Sequence, residues 1–164
     1  MISRLGRFRI AVVCCCFLAL AACSKKNTPD LEAGGPSAGV ASPGSEQDFA
    51  VNVGDRIYFL EDQSTLTEES QETLRKQAEW LSQYGKVSVQ VEGHADERGT
   101  REYNISLSAR RATAMRDFLV ARGVKASRVA SIAYGKERPA ALCDAEQCWS
   151  QNRRAVSVIT GGAN

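Results

Sequence analysis

The segment KVSVQVEG, residues 86–93, constrains the fold most, because three valines alternate in it with Ser88, Gln90 and Glu92. Such alternation is typical of a β-strand with one buried face and one open face. Three more strand-like segments are GDRIYFL before it, and VASIAYG and RRAVSVIT after it. The sequence therefore predicts at least four strands.

Two helices are predicted between these strands. In the first, apolar residues recur on one face from Leu74 to Leu81, with Thr67 as the expected N-cap and Gly85 as the end. The second is predicted over residues 101–122. The order β-α-β-α-β-β predicts a mixed sheet with the helices on one face, an α/β (α+β) sandwich.

The second helix, capped by Thr100 and stopped by Gly123, mixes polar residues into its apolar stripe. The stripe consists of Asn104, Leu107, Arg111, Met115 and Phe118. Arg111 should point toward the core, and because a buried guanidinium needs a partner, it should meet an anion from the protein or from a ligand. Asp96 in the preceding loop is the nearest candidate, and spacing alone leaves open whether the two form an internal salt bridge.

The first 23 residues have the pattern of a secretion signal, with a basic start, an apolar run over residues 10–22 and small residues before Cys23. The run is short for a transmembrane helix, which is the alternative. The ending LAAC resembles the bacterial lipobox, which implies removal of residues 1–22 and acylation of Cys23. Several acyl chains would anchor the protein stably, and knowledge of lipoprotein sorting adds that Ser24 favours the outer membrane.

Residues 23–48 are rich in Gly, Pro, Ser and Ala and are predicted to be the lipidated N-terminus and a flexible tether, so that the folded domain covers residues 49–164. The net charge of +2 arises in the signal segment, which carries three arginines and no acid. The remainder is close to neutral and has no block of basic residues. Nucleic-acid binding is therefore not expected.

Cys143 and Cys148 are the two cysteines that remain beyond Cys23. In an exported domain such a pair favours a disulfide, which would stabilise the fold by roughly 2 kcal/mol. Free thiols are the alternative, and a zinc site would need more ligands than the sequence supplies nearby.

Residues 91–119, VEGHADERGTREYNISLSARRATAMRDFL, resemble the peptidoglycan-binding signature of the OmpA-like C-terminal domain family. The segments AYGKERP and QNRRAV extend the resemblance to roughly residues 50–160, and the lipobox with its tether fits the lipoproteins of the Tol-Pal system within that family.

The resemblance implies a domain that binds the peptide stem of peptidoglycan, whose diaminopimelate side chain presents an ammonium and a carboxylate. Asp96 matches the family aspartate that receives the ammonium, and Arg111 matches the arginine that grips the carboxylate. Asn104 and Ser108 match the rest of the helix motif, whereas Leu107 is expected in the core. The resemblance further implies that TolB and other Tol-Pal components are partners, that the protein links the outer membrane to the wall, and that it supports constriction during cell division.

The segment after the first strand departs from the family pattern. Family members often show a run like FDFDS, whereas this chain has YFLEDQS, with Leu60 and Glu61 in the middle. Asp62 matches the second aspartate of that run. It is expected at the rim of the ligand site, with capping of the turn before the first helix as the alternative.

An enzyme is the competing hypothesis, because His94, Asp96 and Glu97 lie close together in the sequence. A catalytic zinc needs three protein ligands, and nucleophilic catalysis needs an activated Ser or Cys. The chain has one histidine and no nucleophile motif, so no catalytic residue, metal or cofactor is expected. His94 is predicted to be a structural residue that hydrogen-bonds the loop.

Overall fold

The computed structural model describes residues 41–164, and the predictions for the signal peptide, for Cys23 and for the tether up to residue 40 lie outside the described residues. Within this range one sheet has the strand order β1-β4-β2-β3. The strands are β1 (Arg56–Tyr58), β2 (Ser88–Gly93), β3 (Val129–Ala133) and β4 (Arg154–Gly161). Strand β4 runs antiparallel to β1 and β2, and β3 runs parallel to β2, which confirms the predicted mixed sheet.

The helices are α1 (Glu46–Asp48), which continues as a π-helix over Phe49–Gly54, α2 (Glu68–Gln83), α3 (Arg101–Ala121) and α4 (Glu146–Asn152). The predicted caps are present. The Thr67 hydroxyl accepts from the N–H of Ser70 at 3.1 Å, and the Thr100 hydroxyl accepts from the N–H of Tyr103 at 3.2 Å. Within residues 41–164, no helix combines the length and the apolar composition that crossing a membrane requires.

The core lies between the sheet and helices α2 and α3. The valines of β2 are buried while Ser88, Gln90 and Glu92 are half-buried on the other face, as the alternation predicts. The largest apolar side chains that pack with them are Phe49, Ile57, Phe59, Leu74, Trp80, Leu81, Met115 and Leu119. Their burial removes apolar surface from water and stabilises this arrangement of layers.

The element order differs from the prediction by one helix, because α4 stands between β3 and β4. Its seven residues make about two turns, which is too short for a periodic apolar stripe to identify it from sequence. A disulfide joins Cys143 in the preceding loop to Cys148 in α4, with the two Cα atoms 5.7 Å apart. The covalent bond ties this short helix to its loop.

The domain boundary predicted between residues 48 and 49 is too late. The Ser45 hydroxyl caps α1, and the Asp48 carboxylate accepts from the indole N–H of Trp80 at 2.8 Å. The ring of Phe49 then packs on Trp80 at 4.9 Å. Packed structure therefore starts several residues before Phe49.

The chain enters the domain near one end of β2, and the loop of residues 94–100 follows the opposite end of that strand. Gly44 accepts from the N–H of Asn164 at 3.2 Å and lies against Tyr84, which follows α2 and precedes β2. The loop after β2, here called the DERGT loop, starts at His94. Since a six-residue strand spans roughly 20 Å, the two ends are well separated.

Candidate ligand-binding site

Asp96 lies in the DERGT loop and is 8% exposed. One carboxylate oxygen accepts from the backbone N–H of Arg98 at 3.2 Å and from its Nε at 3.3 Å. The other accepts from Arg98 Nη2 at 2.7 Å and from Arg153 Nη1 at 3.4 Å. Two arginines from different parts of the chain therefore meet at this carboxylate.

Arg153 lies between α4 and β4, is buried, and supports Asp96. Its Nε donates to the carbonyl of Phe59 at 3.2 Å, and its other nitrogens pair with Glu146 of α4. Arg153 thus joins α4, the DERGT loop and Phe59, the residue that follows β1, at one point. Its position next to Asp96 is fixed by contacts on three sides.

Asp96 remains ionised at neutral pH. Burial alone would raise the pKa of its carboxyl, but the hydrogen bonds and charge of Arg98 and the hydrogen bond from Arg153 outweigh burial and hold the pKa below its ordinary value of 3.8. The site therefore presents a buried carboxylate that keeps its negative charge.

Arg111 is completely buried on α3, at 0% exposure, as the stripe predicted. Its partners are backbone carbonyls. Nε donates to Gln63 at 2.8 Å, Nη1 to His94 at 2.9 Å and Nη2 to Leu60 at 3.2 Å. Among the described residues it forms no salt bridge with Asp96, so that alternative is wrong, and the expected protein anion is replaced by three carbonyl dipoles.

The charge of Arg111 still acts on the site. Burial lowers the pKa of its guanidinium to about 10, while the negative charges of Asp96 and Asp62 act in the opposite direction. The group is therefore protonated at neutral pH. A guanidinium carries five N–H groups, and three are donated to the carbonyls above, which leaves two for another acceptor.

Asn104 fixes the DERGT loop from inside. Its amide Nδ2 donates to the carbonyl of Arg98 at 2.7 Å, and its side chain is buried. Lys136 holds the same loop from outside, since its Nζ donates to the carbonyls of Glu97 and Gly99 at 2.9 and 2.7 Å. Gly99 adopts a φ of +84°, a backbone conformation that residues with a side chain rarely adopt. The loop next to Asp96 is thus restrained over most of its length.

Ser108, which the family motif placed among the ligand-binding residues, has a structural position. It is 0% exposed, its hydroxyl donates to the carbonyl of Ile105 at 2.9 Å, and it accepts from the N–H of Gly135 at 2.9 Å. Both functions of the hydroxyl are used within the domain, so Ser108 positions the loop after β3. Leu107 is buried in the core side of α3, as predicted.

Asp62 lies in the exposed segment Leu60–Gln63, whose end carbonyls accept from Arg111. Its φ of +52° places it in the left-handed region, which aspartate tolerates better than most residues. The N–H of Gln63 closes the turn onto the carbonyl of Leu60 at 3.2 Å. Asp62 is therefore an exposed carboxylate near the buried guanidinium of Arg111, and its role at the rim of a ligand site stays a prediction.

His94 differs from its predicted role in one respect. Its backbone N–H donates to Arg154 at 2.9 Å and its carbonyl accepts from Arg111, but neither ring nitrogen has a hydrogen-bond partner within the described residues. The ring packs beside Tyr134 at 5.6 Å between centroids. The backbone, and not the imidazole, makes the predicted hydrogen bonds.

The buried imidazole of His94 predicts acid sensitivity. Burial, together with the positive charges of Arg154 and Arg138, lowers its pKa from 6.5 to about 4, so Glu92 at 3.8 Å does not form an ion pair with it at neutral pH. The unfolded chain takes up this proton from about pH 6.5 downward, whereas the folded chain resists protonation until about pH 4. We expect the domain to lose about 2 to 3 kcal/mol of stability between pH 7 and 4.5 from this group alone.

Urea unfolding of the wild type and of His94→Leu at pH 7, 5.5 and 4.5 measures this loss. The other titratable groups are the same in both chains. The difference between the two chains in how the free energy of unfolding changes with pH therefore isolates the contribution of His94. Parallel pH dependence in the two chains would show that the imidazole does not titrate as the structure requires.

Several contacts at this site were not found from the sequence. Arg98 pairs with Asp96, and Trp149 of α4 lies under its guanidinium at 4.3 Å. The adjacent Arg153 and Arg154 are both buried next to an apolar strand. Two arginines at such a position in the sequence could have indicated buried charged contacts. Within residues 41–164, no group of three or more His, Cys, Asp or Glu side chains could hold a metal ion.

Comparison with known proteins gives a family match and full-length relatives. The model of the OmpA family matches residues 58–154. A peptidoglycan-associated lipoprotein of Mesorhizobium japonicum is 53% identical over 165 residues, covering 99% of this chain and 98% of its own length. One from Brucella melitensis is 56% identical over 163 residues, covering 98% of this chain and 96% of its own.

Solved structures agree with these matches. The crystal structure of the peptidoglycan-associated lipoprotein from Burkholderia pseudomallei superposes with a TM-score of 0.66 at 33% identity, over 70% of this chain and 98% of that one. The C-terminal domain of Helicobacter pylori MotB gives a TM-score of 0.61 at 19% identity, over 65% of this chain and 84% of that one, and shows the shared fold alone.

Proposed function

This chain belongs to the OmpA family and, within it, to the family of the peptidoglycan-associated lipoproteins, and on that premise we propose that it binds the diaminopimelate-containing peptide stem of peptidoglycan without catalysing a reaction. The observation that carries the proposal is the ionised, buried carboxylate of Asp96, held in the DERGT loop with the positive charge of Arg111 behind it. A carboxylate and a guanidinium that act on one another in one site suit a ligand that carries both charges on one short side chain.

In this proposal, Asp96 receives the ammonium of diaminopimelate and Arg111 attracts its carboxylate. The guanidinium is covered by the segment Leu60–Gln63, so a direct hydrogen bond to the ligand requires that segment to move outward. The two N–H groups that Arg111 does not donate to carbonyls would then be free for a planar carboxylate. Asp62 would lie at the rim of the opened site, and Asn104 would keep the loop in place.

The position of the site supports a link between two surfaces. The chain enters the domain near Gly44, at the end of β2 opposite to the DERGT loop. We propose that an acylated Cys23 anchors the chain in the outer membrane, with the domain in the periplasm, and that residues 23–40 act as the tether. The site would then face the wall while the anchor stays in the membrane.

We further propose that TolB and other Tol-Pal components bind the same face and exclude the wall peptide, so that the protein supports envelope integrity and constriction at division. The exposed side chains of Leu60 and Tyr103 next to the site offer apolar surface for such a partner. These partners follow from family membership and not from the site's chemistry.

One variant separates anchoring from wall binding. Cys23→Ser is expected to remove the lipid attachment point, so the protein should no longer fractionate with outer membrane or partition into detergent. The same variant should still sediment with purified sacculi, because the site lies in the folded domain. Measurement of both fractions in parallel tests the proposal.

Loss of sacculus binding in the Cys23→Ser chain would contradict a domain-based site. Retention of the variant in outer membrane freed of its wall would contradict the lipid anchor. Wild-type chain processed in the same way is the control.

A further inference from the structure

In this structure, the acceptor positions of the Asp96 carboxylate are already occupied, so a ligand ammonium cannot bind without a change. A carboxylate offers about four acceptor positions, and four N–H groups already point at this one. Three of the four belong to Arg98, one from its backbone and two from its side chain, and the fourth belongs to Arg153. A ligand ammonium must therefore displace one of these donors.

The two arginines differ in how readily they can leave. The side chain of Arg153 is 6% exposed and is held by Phe59 and Glu146 as well as by Asp96. The side chain of Arg98 is 33% exposed, so its guanidinium has a path to solvent. Arg98 is thus the donor that can be displaced without opening the core.

Arg98 is also held from outside the DERGT loop. Its Nη1 donates to Glu61 at 2.7 Å, and its guanidinium lies 4.3 Å from the ring centre of Trp149. Glu61 is exposed and belongs to the segment that departs from the family pattern. This contact joins the segment Leu60–Gln63 to the DERGT loop across the site, 37 residues apart in sequence.

We propose that the side chain of Arg98 is an internal competitor that occupies the ammonium position on Asp96, and that Glu61 holds it there. This inference rests on the proposed function. Binding of diaminopimelate then requires Arg98 to swing off Asp96, and the same swing releases Glu61 and loosens the segment that covers Arg111. The empty site is closed by its own cation, which lowers the apparent affinity for the ligand.

Calorimetric titration of a soluble stem tripeptide ending in meso-diaminopimelate tests this assignment. Removing the competitor raises the fraction of binding-competent domain, so Arg98→Ala should bind roughly three- to tenfold more tightly than the wild type. Glu61→Gln should give a smaller gain of about twofold. The double variant should bind no more tightly than Arg98→Ala, because Glu61 acts only through Arg98.

Arg101→Ala is the matched control. Arg101 is an exposed arginine at the start of α3 that pairs with Glu137 at 3.1 Å, so its removal changes the net charge equally and should leave affinity unchanged. Thermal unfolding of each variant checks the fold, and Glu61→Gln keeps the test open if Arg98→Ala does not fold.

Unchanged or weaker binding by folded Arg98→Ala would overturn the competitor assignment and leave the proposed function in place. An equal gain in affinity in Arg101→Ala would also overturn the assignment, because it would show that the change in net charge alone explains the gain. If neither the wild type nor any variant binds the tripeptide, the proposed function falls and this inference falls with it.

Discussion

Replacement of Arg111 with alanine is expected to lower the free energy of unfolding by about 3 to 5 kcal/mol and to remove peptide binding. The side chain is completely buried and donates to the carbonyls of Leu60, Gln63 and His94. Truncation leaves the carbonyls of Gln63 and His94 without a donor in the domain, while Leu60 keeps the N–H of Gln63, and it opens a cavity at the buried position. Urea unfolding at pH 7, with calorimetry of the folded fraction, measures both effects.

Arg110→Ala is the control for this prediction. Arg110 is the exposed neighbour, whose Nη1 donates to the Ser106 hydroxyl at 2.7 Å, so its loss should change stability by less than about 0.5 kcal/mol. Arg111→Lys should be intermediate, because an ammonium keeps the charge but cannot reproduce the planar fork. Wild-type stability in Arg111→Ala would show that the carbonyl contacts contribute little.

Replacement of Asp96 with asparagine is expected to weaken binding of the diaminopimelate peptide about thirtyfold or more, because a desolvated charge pair with the ligand ammonium is lost. Asparagine keeps the size and one acceptor oxygen, so the domain should stay folded. Since the pKa of Asp96 is held below 3.8, wild-type affinity should not change with ionisation of this group between about pH 5 and 8.

Asp117→Asn provides the comparison for the Asp96 variant. Asp117 is an exposed aspartate of α3 that pairs with Arg116 at 3.0 Å, away from the DERGT loop. Its neutralisation changes the net charge by the same amount and should leave affinity at the wild-type value. Equal losses in the two variants would point to general electrostatic attraction and not to a defined ammonium site.

The sequence predicted the regular elements because their signals are local. Alternation in β2 and the caps Thr67 and Thr100 depend on residues within a few positions of one another, and the structure contains them. Helix α4 was missed because seven residues carry no clear period, and the early boundary was missed because Asp48 is fixed by Trp80, 32 residues away. Contacts between distant segments leave little trace in local pattern.

The burial of Arg111 was predictable from the sequence, but the contacts at the candidate site were not. The stripe of α3 predicted a buried Arg111, yet its acceptors are carbonyls of the segment Leu60–Gln63 and of His94, and backbone acceptors have no sequence signature. Asp96 was the nearest candidate anion for Arg111, but its partners are Arg98, only two positions away, and Arg153, 57 positions away. Which arginine pairs with a given carboxylate depends on the tertiary structure and not on distance along the sequence.

The most direct test of the central claim is calorimetric titration of the wild type and Asp96→Asn with two stem peptides, one ending in meso-diaminopimelate and one ending in lysine. Lysine keeps the ammonium and lacks the second carboxylate. We expect the wild type to bind the diaminopimelate peptide at least about thirtyfold more tightly than the lysine peptide, and Asp96→Asn to lose most of its affinity for both. Equal affinity of the wild type for the two peptides, or wild-type affinity in a folded Asp96→Asn domain, would contradict recognition of the diaminopimelate zwitterion at this site.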